Sequence, residues 1–288
     1  MSCLYLHKSP TSRNVIAFAV ARIARVIPLF LAVLVGSFIL KRFDFLGQFV
    51  YEINNVIDFA SHIFLLHGTS ILWTIPTELH FYALFALAWI CRPRLGATIY
   101  IIISLIILID FMWGFRYDTT SILGLTVTPT IIIALPYFVV GAVMGHVYRS
   151  WQPPEGLSNN YFVLVLALIP LLFPNTFYYI TGRQHGMWSD MGVLLFVSGI
   201  FFVFVFLIPN ENKIISNTVG DFFGRISYSL YLLHMPLLLL FRYLGLIQGV
   251  FGLILFIATT SVVSQLSFAL LEHPSRKFIK ARLSNNKT

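Results

Sequence analysis

Charged residues are scarce in this chain: they make up only 10% of its 288 residues, against 58% hydrophobic residues. An average globular chain is about 25% charged and about 45–50% apolar. A soluble fold of this size cannot hide so much apolar surface. The composition therefore excludes an ordinary soluble domain, a disordered chain and a nucleic-acid-binding protein as first interpretations, and lipid is the expected solvent.

Cysteine is almost absent, since the chain has only Cys3 and Cys91. Two cysteines without metal-ligand spacing exclude a disulfide framework and a cysteine-based metal site. Internal repeats and low-complexity linkers are also lacking. The sequence therefore predicts a single membrane domain over residues 1–288, and no metal is expected.

Long apolar runs fill the chain, and each span needs about 20 such residues. Their continuity favours helices over barrel strands, whose residues alternate. The expected fold is an all-α, polytopic transmembrane helix bundle of about eight spans. The segments are Val26–Leu40, Trp73–Cys91, Leu95–Gly114, Pro129–Tyr148, Tyr161–Phe173, Met191–Ile208, Ile226–Tyr243 and Gly249–Glu272.

The distribution of basic residues predicts the orientation. With a cytoplasmic N-terminus, the outer segments hold only five of the 19 lysines and arginines, namely Lys41, Arg42, Arg116, Arg183 and Arg242. The positive-inside rule favours this arrangement, and an even span count makes both termini cytoplasmic. The net charge of +8 is then explained by topology rather than by a nucleic-acid partner.

The predicted outer loop, residues 41–72, is longer than a connection needs. Its partly apolar stretch Phe59–Leu66 is typical of a re-entrant or interfacial helix. His62 and His67 lie five residues apart, which does not place two side chains on one helix face. We therefore expect no metal there.

Glu78 is an ionisable residue inside a predicted span, and such residues are costly enough to suggest function. Trp73, His80 and Tyr82 surround it in sequence and suggest the lining of a site. The alternative is a helix-start residue: Thr74 would cap the helix, and the carboxylate would meet the positive end of the helix dipole.

His234 is the second such residue, deep in the predicted seventh span. Ser227, Tyr231 and His234 are expected on one helix face, and Pro236 would free a carbonyl around a cavity. Histidine can act as acid, base or proton relay. The alternative is a histidine that only holds the bundle together.

Arg22 and Arg25 lie one turn apart, where the sequence predicts the cytoplasmic mouth. Arginine suits bidentate contacts with phosphate, so an anion site is one interpretation. Anchoring to lipid headgroups is the other.

Four segments together resemble the acyltransferase 3 family of integral-membrane acyltransferases. They are Arg22-x-x-Arg25-x-x-Pro28, the run Leu72–Tyr82, the run Ile226–Pro236 with its Ser-Tyr-Ser-x-Tyr-Leu-x-His-like pattern, and the ending Glu272–Lys277. Their order and spacing extend the resemblance over essentially the whole chain.

The resemblance implies transfer of an acyl group, commonly acetyl, from acyl-CoA to a hydroxyl of a lipid-linked or cell-envelope carbohydrate such as O-antigen or exopolysaccharide. It implies a bacterial inner-membrane protein with no permanently bound cofactor, whose partners are membrane lipid and the carbohydrate acceptor. The implied catalytic residues are Glu78 and His234. The implied substrate-binding residues are Trp73, His80, Tyr82, Ser227, Tyr228 and Tyr231. Arg22, Arg25 and Arg225 would hold the CoA phosphates.

The chain also departs from the family pattern. Members usually have ten spans, and the first carries an arginine and a histidine thought to be catalytic, for which this sequence shows no counterpart. We therefore expect an N-terminally incomplete member lacking the first two helices. An inactive remnant or partner subunit, and a transporter or flippase-like carrier, are the alternatives.

Overall fold

Helices dominate the part of the chain that the structure describes. The computed structural model describes residues 5, 8–43, 45–95, 120–122, 125–128, 130–151, 153–154, 156–184 and 190–285. Within these ranges the α-helices are α1 (Ser12–Leu40), α2 (Val56–Ile63), α3 (Thr74–Leu95), α4 (Ile131–Ser150), α5 (Pro174–Thr181), α6 (Met191–Phe202), α7 (Thr218–Tyr243), α8 (Gly249–Ser267) and α9 (His273–Asn285).

Five helical stretches in the described residues are long and apolar enough to cross a membrane. They are Ser12–Leu40, Ser70–Pro93, Ile131–Tyr148, Thr218–Tyr243 and Gly249–Ile279. The helical membrane bundle predicted from composition is thereby confirmed, because these stretches cover five of the expected spans. The count of eight and the orientation of the termini stay predictions.

The other three expected spans have different outcomes. The expected span Tyr161–Phe173 coincides with a 3₁₀ helix, Asn160–Leu172, which meets α5 at 98°, so the pair forms either a broken span or a re-entrant loop. The expected span Met191–Ile208 forms α6 and the π-helical turn Val203–Leu207, which together are shorter than a usual span. The expected span Leu95–Gly114 lies, beyond its first residue, outside the described residues.

The first span begins much earlier than the apolar run suggested. Helix α1 starts at Ser12 rather than at Val26. Alanine and arginine are strong helix formers, so the helix runs through Arg22 and Arg25 without a break. These arginines therefore lie within the helix rather than ahead of it.

Two compact units divide the chain. One contains Ser12–Tyr82, Tyr117–Thr130 and Asp221–Thr288, and the other contains Met1–Thr11, Ala83–Arg116 and Ile131–Gly220. We call the first the motif unit, because it holds all four family-like segments. The expected single domain is thus built from two units, and the candidate site belongs to the motif unit.

The core of the motif unit comes from three helices and the turn that precedes α3. Fully buried apolar side chains from α1, α7 and the start of α3 meet there, and they are Ala24, Val26, Leu34, Leu72, Ile75, Ile226 and Leu232. Helix α8 is apolar and largely exposed along its length. Its exposure is that of a helix facing lipid.

Residues 41–72 carry short helices, as the sequence suggested. A 3₁₀ turn (Leu46–Phe49), α2 and a second 3₁₀ turn (Ser70–Trp73) follow one another. The N-terminus of helix α2 is capped, because the Asn55 side chain accepts a hydrogen bond from the Asp58 N–H at 2.7 Å.

A small hairpin adds to the expected all-α fold. Strands β1 (Thr120–Ile122) and β2 (Leu125–Val127) pair antiparallel. The hairpin docks on residues 41–72: the Thr126 N–H donates to the Ser61 hydroxyl at 2.9 Å, and the Thr128 N–H donates to the Leu66 carbonyl at 2.8 Å. Three-residue strands are too short to show a clear alternation in sequence, which is why they were missed.

Candidate active site

Glu78 lies one helical turn before Tyr82 on α3, and the Tyr82 hydroxyl donates a hydrogen bond to the Glu78 carboxylate. Arg22 of α1 completes this group: its guanidinium carbon lies 5.4 Å from the centroid of the Tyr82 ring and 5.6 Å from that of Phe18. The two rings meet edge to face. Such cation–π contacts stabilise a charge that is removed from water. Tyr82 therefore contacts the Glu78 carboxylate through its hydroxyl and the Arg22 guanidinium through its ring.

This pairing brings together two motifs that the sequence placed at opposite ends of their spans. The sequence put Arg22 at the cytoplasmic mouth and Glu78 near the outer end of its span. In the structure Arg22 lies against Tyr82, one turn from Glu78.

Helix α7 brings two further tyrosines towards Glu78, and both lie within electrostatic range of its carboxylate. The Tyr231 hydroxyl is hydrogen-bonded to the Thr74 hydroxyl at 3.0 Å and donates to the Ile71 carbonyl at 3.1 Å. The expected capping by Thr74 is not what its hydroxyl does, since it contacts Tyr231 and Ile71 instead. Tyr231 thereby ties α7 to the start of α3.

The Tyr228 hydroxyl contacts a different helix from the Tyr231 hydroxyl. It is buried, and its hydroxyl donates to the Val26 carbonyl at 2.7 Å, which joins α7 to α1. A buried hydroxyl with a buried backbone partner fixes the spacing of two helices. We therefore interpret Tyr228 as a support of the site rather than as a part of its lining.

His234 lies one turn beyond Tyr231, with ring centroids 5.9 Å apart. Its Nδ1 is 2.7 Å from the Tyr231 carbonyl and 3.2 Å from the Leu230 carbonyl. A carbonyl only accepts hydrogen bonds, so Nδ1 carries the hydrogen and Nε2 keeps its lone pair. The backbone of α7 thus selects the tautomer in which Nε2 can accept a proton.

A second polar cluster lies where the last span ends, and sequence reasoning assigned it no function. Glu272 sits in a π-helical turn (Phe268–Glu272) and is 1% exposed. It accepts a hydrogen bond from the Ser229 hydroxyl and pairs with Arg276 at 2.7 Å. π-turns are frequent at functional sites. An acidic residue at the end of an apolar run was the signal that could have found it.

The remaining expected site residues do not join these groups. His80 follows Glu78 by two residues, which places it on another face of α3. Ser227 is exposed and donates to the Gly224 carbonyl at 3.0 Å, so it does not share the environment of Tyr231. Arg225 is exposed on α7. Trp73 is half-buried, and its carbonyl accepts the Thr77 hydroxyl at 2.8 Å.

Asp58, His62 and His67 form a group of metal-ligand type, with one candidate ligand atom from each residue within 4.8 Å of the others. Both nitrogens of the buried His62 are already engaged. Nε2 accepts the Thr69 N–H at 3.0 Å, and Nδ1 donates to the Asp58 carbonyl at 2.8 Å. A cation bound to His62 would have to break one of these bonds, so the group is built as a hydrogen-bonded support.

His67 links this support to the segment that follows the hairpin. Its Nδ1 is 2.9 Å from the Thr128 hydroxyl. Burial lowers the pKa of His67, and the neighbouring His62 lowers it further, while Asp58 acts in the opposite direction. The neutral imidazole is therefore the form that the folded chain favours.

The geometry assembles groups that can handle a proton and a developing negative charge. Tyr82 contacts both Glu78 and Arg22. Tyr231 lies within electrostatic range of Glu78, and its ring contacts that of His234. A base, a carboxylate and a guanidinium in one half-buried region are suited to activating a hydroxyl and stabilising an oxyanion.

Comparison with known protein families identifies one that matches this chain. A family model described as an acyltransferase domain, that of the acyltransferase 3 family, matches residues 4–271, which is nearly the whole chain. No curated protein and no solved structure gave a significant match.

Proposed function

Since the chain belongs to the acyltransferase 3 family and is an integral membrane protein with several apolar spanning helices, we propose that it acylates a hydroxyl of a cell-envelope carbohydrate. The donor in this proposal is an acyl-CoA, with acetyl as the first choice. The acceptor is a lipid-linked glycan, O-antigen or exopolysaccharide, and the location is a bacterial inner membrane. The family supports membrane acyl transfer in general, and the donor and acceptor are our proposal.

The single observation that carries the proposal is the 2.7 Å contact between Nδ1 of His234 and the Tyr231 carbonyl. The Tyr231 carbonyl holds Nδ1–H, so the lone pair of Nε2 is left to take a proton. Activation of a sugar hydroxyl at neutral pH needs a base of this kind.

The proposed reaction is a direct transfer. Nε2 of His234 takes the proton of the acceptor hydroxyl, and the hydroxyl oxygen attacks the thioester carbonyl carbon. The tetrahedral intermediate collapses, the C–S bond breaks, and the imidazolium returns its proton to the CoA thiolate. The products are the ester and free CoA, so atoms and charges balance.

Glu78 acts through its neighbours in this scheme. Its carboxylate lies within electrostatic range of Tyr231, which contacts the His234 ring. A negative charge near the imidazole stabilises the imidazolium that forms during the transfer. Arg22, placed over Tyr82, adds positive charge near a developing oxyanion.

Labelled acetyl-CoA distinguishes this function from the alternatives. Membranes that contain the full chain are incubated with [acetyl-¹⁴C]CoA and envelope glycan, and the glycan is recovered and counted. Alkali-labile label on the glycan supports the proposal. Uptake of substrate without covalent label would favour a carrier, and neither uptake nor label would favour an inactive partner subunit.

A further inference from the structure

Two threonines that follow strand β2, Thr128 and Thr130, are each hydrogen-bonded to residues at or just before the start of α3. We call this pair the threonine strap. The pair and the residues that it contacts all belong to the motif unit. Thr128 also donates its N–H to the Leu66 carbonyl at 2.8 Å. The strap is therefore docked onto the same compact unit that carries Glu78.

Thr130 reaches α3 directly beside Glu78. Its hydroxyl oxygen lies 2.6 Å from that of Thr77, the residue that precedes Glu78. The Thr77 hydroxyl has one hydrogen, which it donates to the Trp73 carbonyl at 2.8 Å. The Thr130 hydroxyl is therefore the donor in the contact between the two threonines. Thr77 is 2% exposed, so this hydrogen bond lies inside the protein rather than on its surface.

The same turn of α3 is also tied to α7. Thr74, three residues before Thr77, is hydrogen-bonded to the Tyr231 hydroxyl at 3.0 Å. Glu78 lies four residues after Thr74 and one residue after Thr77, so both contacts act on the turn from which its side chain projects. The first turn of α3 is thus fixed by α7 through Thr74 and by the strap through Thr77.

The loop before α3 is packed against this turn as well. A Cβ atom at Gly68 would lie 2.5 Å from the backbone nitrogen and from the Cα of Trp73, so only glycine allows this close approach. His67, which precedes Gly68, is 2.9 Å from the Thr128 hydroxyl through its Nδ1. The strap consequently contacts the chain on both sides of Trp73, in the loop and in the helix.

A helix start needs contacts of this kind. The first N–H groups of a helix have no partner within it, and Pro76 has no N–H at all. Residues in this turn are therefore held less firmly by the helix itself than residues in its middle. Among the described residues, the Thr130 hydroxyl bonds to Thr77 and to none of the groups of the site, so it can act on Glu78 only through the position of the turn.

We propose that Thr130 is a positioning residue for Glu78, and that it acts through the Thr77 hydroxyl. The inference rests on the proposed function, in which the Glu78 charge stabilises the imidazolium of His234. That stabilisation falls as the charges move apart. Loss of the Thr130 hydroxyl frees the first turn of α3 and weakens the effect of Glu78 without removing a contact to the substrate. The expected result is a lower kcat at an unchanged KM.

The variants separate the hydroxyl from the shape of the side chain. Thr130→Val removes the hydroxyl and keeps the branched shape, whereas Thr130→Ser keeps the hydroxyl. Thr126→Val is the matched control on the preceding strand. Thr126 and Thr130 are both half-buried, and Thr126 contacts Ser61 through its backbone N–H, which valine retains.

The first measurement needs no acyl transfer. The analogue 3-fluorotyrosine replaces Tyr82 in the full chain in nanodiscs, and its ¹⁹F resonance reports on the hydrogen bond to Glu78. We expect Thr130→Val to move this resonance, as Glu78→Gln does, and we expect Thr126→Val and Thr130→Ser to leave it at the parent position. A resonance that Thr130→Val leaves unmoved would overturn the positioning role, whether or not the chain transfers acyl groups.

The second measurement is steady-state transfer of label from acetyl-CoA to envelope glycan. We expect Thr130→Val to lower kcat about three- to tenfold, the effect of one neutral hydrogen bond, with recovery in Thr130→Ser and the parent rate in Thr126→Val. In a Glu78→Gln background Thr130→Val should have no further effect, because the group that it positions has lost its charge.

Equal losses of kcat from Thr130→Val with and without the Glu78 carboxylate would show that Thr130 does not act through Glu78. A parent-like kcat in Thr130→Val would likewise overturn the inference. Absence of label from the parent chain would instead refute the proposed function, and the ¹⁹F resonance would still decide whether Thr130 positions Glu78.

Discussion

The Tyr51 hydroxyl donates a hydrogen bond of 2.8 Å to the backbone carbonyl of Leu232. That carbonyl is the group that Pro236, four residues later, leaves without its helical N–H partner. Tyr51 is buried, and burial, with a smaller effect from Tyr231, raises its pKa far above the ordinary value. The hydroxyl therefore stays protonated and keeps donating. The segment between α1 and α3 thus supplies the hydrogen bond that α7 lacks two residues from His234.

Removal of this hydroxyl should destabilise the chain only while Pro236 is present. Tyr51→Phe leaves a buried carbonyl unsatisfied, which costs about 1–3 kcal/mol. Pro236→Ala restores the backbone N–H, so the cost of Tyr51→Phe should fall to a few tenths of a kcal/mol in that background. Thermal unfolding in detergent of the parent, both single variants and the double variant measures the coupling.

Tyr243→Phe is the control for the loss of a tyrosine hydroxyl nearby, because Tyr243 is exposed and contacts Phe49 through its ring. It should leave the unfolding temperature unchanged. An equal loss from Tyr51→Phe with and without Pro236 would show that the hydroxyl does not act through the Leu232 carbonyl.

The ion pair between Glu272 and Arg276 gives a second prediction. Arg276→Ala leaves the fully buried carboxylate without its partner, and we expect a loss of about 3–5 kcal/mol in stability. The double variant Glu272→Gln/Arg276→Gln removes both charges and should recover most of that loss. Unfolding temperature and the amount of protein in membranes check this. A double variant as unstable as Arg276→Ala would contradict the ion-pair explanation.

Removing the hydroxyl of Tyr231 should affect mainly the rate of acyl transfer, whereas removing that of Tyr228 should affect mainly stability. Tyr231→Phe breaks the link to Thr74 beside Glu78 and should lower kcat by about tenfold or more with little change in unfolding temperature. Tyr228→Phe leaves the Val26 carbonyl without the hydroxyl and should lower the unfolding temperature more than kcat. Steady-state acyl transfer and thermal unfolding separate the two effects. If Tyr228→Phe lowered mainly kcat and Tyr231→Phe lowered mainly the unfolding temperature, the roles assigned to the two tyrosines would be wrong.

The pKa of His67 predicts how stability depends on pH. Because the folded pKa is lowered and the unfolded pKa is about 6.5, the unfolded chain takes up the proton first as the pH falls. This contribution to stability is complete above about pH 6.5 and declines below it. The drop in unfolding temperature between about pH 7.5 and about pH 5 should be smaller in His67→Gln than in the parent. His273→Gln, at an exposed site, should keep the full drop; an unchanged drop in His67→Gln would refute the assignment.

The sequence was sufficient for the character of the fold and for much of the site. Apolar runs as long as the bilayer is thick predict spanning helices. A carboxylate such as Glu78 stands out in such a run, because placing a charge there costs free energy. The i, i+3 and i, i+4 rules correctly placed Tyr231 beside His234. Glu78 and Tyr82 share a face for the same local reason.

Contacts between helices could not be predicted in this way. Tyr228 meets Val26, and helix α9 packs against α1, across most of the chain. These pairings depend on how whole helices pack and on where each begins, as the early start of α1 at Ser12 demonstrates. The role of Tyr51 was equally hidden, because nothing local connects it to the carbonyl that Pro236 frees.

Acyl transfer by Glu78 and His234 variants tests the central claim most directly. Label from acetyl-CoA on envelope glycan is measured with equal amounts of membrane-embedded parent, Glu78→Gln, His234→Ala and the exposed-site control Glu52→Gln. We predict that His234→Ala loses about 10²–10⁴-fold in rate, the contribution usual for a positioned base. Glu78→Gln should lose about tenfold or more, because its charge no longer stabilises the imidazolium, while Glu52→Gln keeps the parent rate. Parent-level transfer by both site variants would contradict the account.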